Sequence, residues 1–164
     1  MKKILVALAL LYSFMLITEV NGQTPSTLVR WSDGGYTQDQ TLSNGWIFRT
    51  VFTKEMTVEG RLYMMSKKPN SYAIDLDTAG NVKSVRISTS NKPGVIDGIY
   101  VLMDGKPRIL EADVRNVPQI YLYEELLQNI EGLPKEIQNV LTIKSAAVRE
   151  AAKKPVTLTP VSNR

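Results

Sequence analysis

The chain has 164 residues, a formal net charge of +4, and neither Cys nor His. Those two absences exclude a Cys nucleophile, a His base, a Ser-His-Asp triad and a His/Cys zinc site. The 20 basic and 16 acidic residues are interspersed, so nucleic-acid binding has little support.

Met1-Lys2-Lys3 supplies a positive start, and Ile4 to Ile17 is an almost unbroken apolar run. That pattern predicts an export signal over residues 1–22, with the cut before Gln23. The run is shorter than the roughly 18–20 residues needed to span a bilayer, so no transmembrane segment is expected in the mature chain. Removing it leaves 164 − 22 = 142 residues with 18 basic and 15 acidic side chains, a net +3. Such a length suits one domain that rests on its apolar core without disulfide staples. An exported, disulfide-free chain fits a bacterial envelope, in the periplasm or at the outer membrane, or alternatively a secreted protein.

Residues 23–44 are rich in Gly, Thr, Ser, Gln and Asp and read as a loop-rich lead-in, with one short strand around Leu28–Trp31. Residues 45–94 read as a β-strand region. Trp46–Phe52 is dense in aromatic and β-branched residues, and Met56–Met65, Tyr72–Leu76 and Val82–Ile87 follow as further strands. Asp77-Thr-Ala-Gly-Asn81 joins the last two as a hairpin connection. Asp75, Asp77 and Gly80 match three positions of a calcium loop, but Arg86 stands where a bidentate Glu belongs. The segment is therefore a turn, and no metal or cofactor is expected.

In residues 95–158, Asp97-Gly98 and Asp104-Gly105 bracket an apolar strand, Ile99–Met103. Lys106 and Arg108 flank a turn, where basic residues are ordinarily solvated, and Ile109-Leu110 reads as a short return strand. Asn116 is a candidate N-cap for a helix from Pro118 to Ile130, with Ile120, Tyr123, Leu126, Leu127 and Ile130 on its apolar face and Gly132 closing it. Glu124 and Glu125 point about 100° apart on such a helix and read as solvated. Leu133–Ile137 reads as one helical turn, Val140–Ile143 as a strand, Ala146–Ala152 as a helix and Val156–Leu158 as a last strand, before a polar tail at 159–164.

Glu136-Ile-Gln-Asn-Val-Leu-Thr-Ile-Lys-Ser-Ala-Ala147 and Tyr100-Val-Leu-Met-Asp-Gly-Lys-Pro107 resemble two motifs of the plug domain of TonB-dependent outer-membrane receptors, Bacteroidetes type. Ser145 departs from the Asp of that pattern, and 142 residues cannot supply a barrel of roughly 22 strands. The residue patterns predict an α+β fold with a β-rich N-terminal half and a β-α-β-α-β C-terminal half, and the resemblance, which covers residues 95–158, implies that this second half is plug-like. It also implies ligand uptake or partner binding at the outer membrane, without catalysis, beside a barrel or another envelope protein. The alternative is a secreted or periplasmic module, or inhibitor, that binds glycan or peptide. Across both readings the candidate ligand-binding residues are Trp31, Tyr36, Trp46, Asp97, Asp104 and Arg108. A carboxylate-dependent hydrolase would need two acids about 5–10 Å apart, and no pair stands out.

Overall fold

Alternating apolar and polar residues, punctuated by Gly and Asn turns, send the chain up and down a single sheet. The computed structural model describes residues 26–92, 95–112, 119–153 and 156–157. Its strands are β1 (Thr27–Arg30), β2 (Tyr36–Thr41), β3 (Ile47–Phe52), β4 (Val58–Lys67), β5 (Asn70–Leu76), β6 (Val82–Lys92), β7 (Val95–Leu102) and β8 (Arg108–Ala112). Each pairs antiparallel with the next, and β9 (Val156–Thr157) adds parallel to β8. Two helices, α1 (Gln119–Leu127) and α2 (Lys135–Ala152), form the connection between β8 and β9.

The pairing register explains where the core lies. Phe48, Tyr63, Ile74, Val85, Val101 and Ile109 stand side by side in one row across β3 to β8. Met65, Tyr72, Ile87 and Ile99 form the neighbouring row on the same face. Leu122, Tyr123 and Leu126 of α1, with Ile137, Leu141 and Val148 of α2, close over these rows. Burying each such side chain contributes about 1.5–3 kcal/mol relative to exposure. The Tyr123 hydroxyl donates to the Leu141 carbonyl at 3.0 Å, tying the two helices together inside the core.

The opposite face carries ion pairs. Arg49 makes a two-pronged contact to Asp39, at 2.7 and 2.6 Å. Asp75 accepts from Arg86 at 2.8 and 3.1 Å and from the Ser84 hydroxyl at 2.8 Å.

One close approach joins the helical layer to the sheet. The short 3-10 turns Ser43–Gly45 and Ile130–Gly132 meet. A methyl group at Gly132 would run into the Ser43 carbonyl oxygen and come within 3.1 Å of the Trp46 ring. Only a residue without Cβ fits there.

The structure corrects several expectations. The C-terminal half is not a β-α-β-α-β plug. Val140–Ile143 is no strand but the middle of the 18-residue α2, which also takes in Lys135–Ile137 of the expected turn and the helix at Ala146–Ala152. Ile137, Leu141 and Val148 are buried at helical spacing, whereas Ile143 is 79% exposed. The β-branched run suggested a strand, but only a helix sends Leu141 inward and Ile143 outward. Asp97-Gly98 is not a turn: both residues lie within β7, and β7 pairs with β6 as part of the same sheet. The lead-in at 23–44 holds two strands, β1 and β2, the second unanticipated. The export signal and its cut, Asn116, Pro118 and the tail at 159–164 lie outside the described residues. Among the described residues no helix is long and apolar enough to cross a membrane.

Candidate functional site

The six candidate residues fall in four places. Trp31 and Tyr36 flank the β1–β2 hairpin. Trp46 is in the core, Asp97 is in β7, and Asp104 and Arg108 flank the β7–β8 turn.

Among the described residues, the β1–β2 end holds the most exposed large apolar side chains. β1 is the first strand of the sheet, it pairs only with β2 among the described residues, and all four of its residues are exposed. Trp31 follows it and closes a tight loop: Gly34 N–H donates to Trp31 O at 3.1 Å, and Trp31 N–H to Gly35 O at 2.8 Å. Gly34 adopts φ +93° and would set a Cβ 3.6 Å from Lys54 Cβ, so this loop sits beside the β3–β4 turn. Among the described residues, five of the seven large exposed apolar side chains lie on β1, the loop after it and the end of the β3–β4 turn: Leu28, Val29, Trp31, Met56 and Val58. Exposed apolar side chains beside an unpaired strand edge mark a candidate contact site.

The two aromatic candidates are held in place. The Trp31 indole N–H donates to Thr37 Oγ1 at 3.0 Å, and the ring remains 50% exposed. The Arg30 guanidinium stands 6.0 Å above the Tyr36 ring. A pinned, half-exposed Trp loses little side-chain freedom on contact with a partner.

Trp46 is a different case. It is fully buried, its indole N–H donates to Asn129 O at 2.7 Å, and its ring centroid lies 6.4 Å from that of Tyr72. It is a structural anchor, which removes it from the surface candidates. At the surface beside it, Lys67 donates to Asn129 Oδ1 at 2.7 Å. Asn70 Oδ1 and the Tyr72 hydroxyl, both in buried residues, have no hydrogen-bond partner among the described residues. Burial raises the Tyr72 pKa, the neighbouring Asn70 amide draws it back, and Glu125 raises it; the two groups stop short of hydrogen-bond geometry. Asp97 stands opposite Thr89 in the ladder, and its side chain lies outside the described atoms.

Asp104 and Arg108 are brought together, 3.7 Å apart and both largely exposed. Arg108 also lines a cleft of about 440 Å3 with Lys106, Pro107, Glu150 and Lys153. Among the described residues no group of three or more Asp or Glu side chains is placed to hold a metal ion.

Val29, Met56 and Val58 were not singled out by sequence reasoning. Met56 carried a usable signal: a large apolar residue in the polar turn Thr53-Lys-Glu-Met-Thr57, where it adopts φ 63°. Val29 carried none, because only the pairing shows that β1 lies at the margin of the sheet.

Compared with protein-family models, curated proteins and solved structures, the chain matches none.

Proposed function

We propose that the chain is an exported, non-enzymatic binding module of the bacterial envelope that holds an extended peptide segment of a protein partner at its β1–β2 end. The observation that carries this reading is the sheet margin β1, whose four residues are exposed, with Leu28 on one face and Val29 and Trp31 on the other. A strand added to β1 would gain main-chain hydrogen bonds, and its alternate side chains would meet Trp31 on one face and Leu28 on the other. Natural sheets blunt such margins with Lys, Pro or bulges; Thr-Leu-Val-Arg has neither Lys nor Pro. Asp39, Asp75, Glu124 and Glu150 are each held by a basic side chain, and Asp104 faces Arg108 at 3.7 Å. The outer-membrane uptake reading rested on a plug fold, which the sheet replaces, so the weight moves to partner binding.

The test is selection of a displayed random-peptide library against the mature chain. Selected peptides are expected to alternate apolar and polar residues. They should bind the parent and lose at least about tenfold in affinity, roughly 1.4 kcal/mol, on the double variant Val29→Ser, Trp31→Ser. Peptides that bind parent and variant equally would refute the assignment.

A further inference from the structure

The cleft at the other side of the sheet carries a second, independent reading. It lies between the β7–β8 turn and the last turn of α2, with Lys106 and Arg108 on one wall and Glu150 and Lys153 on the other. Its floor is apolar, from buried Pro107 and from Ala151. Lys144 of α2 fixes the turn from within, donating to the Met103 carbonyl and, at 3.5 Å, to that of Gly105. The wall is therefore braced rather than a loose loop.

The charges do not cancel. Among the described lining residues three are basic and one is acidic, a net of 3 − 1 = +2, which Asp104 beside Arg108 at the rim lowers to +1. Glu150 is already taken by Lys153 at 2.6 Å. Arg108 has only the long 3.7 Å contact with exposed Asp104 at the rim, and among the described residues Lys106 has no ion pair. The partial negative charge at the α2 C terminus accounts for a cation at Lys153. It does not account for Lys106 and Arg108, which arrive from the sheet.

We infer that this cleft binds a phosphate monoester with a short apolar substituent. The anion is drawn by the net positive lining, the Arg108 fork suits phosphate oxygens, and the Lys106 ammonium adds a point charge. The substituent lies on Pro107 and Ala151. The phosphoryl group is the recognised chemistry, whether it belongs to a soluble ester or to the headgroup of an anionic lipid.

Calorimetric titration of the full mature chain with phenyl phosphate tests it, alongside the double variant Lys106→Ala, Arg108→Ala and the single variant Glu150→Gln. The parent is expected to bind with millimolar or tighter affinity, weakening as salt rises. The double variant should bind at least about tenfold more weakly while its melting temperature is unchanged, since both side chains are exposed. Glu150→Gln should bind more tightly. Co-sedimentation with phosphatidic acid vesicles, with phosphatidylcholine vesicles as control, assigns the source: binding here but not to phenyl phosphate places the phosphoryl group on a lipid. Absence of binding to both probes, or equal binding by parent and double variant, overturns the inference. Neither result bears on the β1–β2 end, whose peptides are scored separately.

Discussion

Replacing Gly132 by Ala tests the joint between the helical layer and the sheet. The added methyl would meet the Ser43 carbonyl oxygen, and the next neighbours are the Ser43 carbonyl carbon at 3.0 Å and the Trp46 ring at 3.1 Å. Two of these three atoms are backbone, and Trp46 is fully buried and hydrogen-bonded to Asn129, so nothing can swing aside cheaply. Forcing extra volume into such a contact costs typically 1–3 kcal/mol, and a backbone clash belongs at the top of that range, about 3 kcal/mol. For a chain of this size each kcal/mol moves the melting temperature by about 2–4 °C, so a fall of about 6–12 °C is expected. Thermal unfolding followed by circular dichroism would measure it, with near-ultraviolet signals reporting Trp46. A Gly132→Ala protein that melts within about 1 °C of the parent would refute the close approach and the order of packing built on it.

Further outcomes follow from the same geometry. Ile143→Lys should change stability by less than about 0.5 kcal/mol because the side chain points to solvent, whereas Leu141→Ala should cost about 2–5 kcal/mol; denaturant midpoints would separate the helix from the strand reading. Burial holds the Tyr123 pKa above its ordinary value, and burial with Glu136 does the same for Tyr63. A raised folded-state pKa means stability is full below the ordinary tyrosine value, about 10, and is lost as pH rises beyond it. Stability should therefore decline on the alkaline side, and Tyr123→Phe should flatten that limb while costing about 1 kcal/mol near neutrality for the lost bond to Leu141. Arg49→Lys breaks the two-pronged contact to Asp39. Because both side chains are partly exposed, the loss should stay near 0.5 kcal/mol and shrink in high salt.

The strands of the middle of the chain were legible because aromatic and β-branched runs are punctuated by turn residues. Asp77 accepts from Ala79 and Asn81 backbone N–H groups at 2.9 and 2.8 Å, the local bonds such a sequence advertises. β2 was not legible: Tyr-Thr-Gln-Asp-Gln-Thr is polar, and it is a strand because β1 and β3 pair with it on either side. In α2, the run Val140-Leu-Thr-Ile143 fits a strand locally, and tertiary burial of Leu141 decides for the helix. The candidate site divided for the same reason. Nothing in residue type separates Trp31 from Trp46; one bonds Thr37 six residues away, and the other Asn129 at 83 residues' separation.

That last contact has a kinetic meaning. Every antiparallel pairing from β1 to β8 joins sequence neighbours, so the sheet can zip hairpin by hairpin with short loops to close. The Trp46–Asn129 bond and the Gly132–Ser43 contact need the chain to return across more than 80 residues, and closure entropy disfavours their early formation. Weakening this joint should then leave the folding rate nearly unchanged and quicken unfolding, so the contact acts as a latch on the lifetime of the native state.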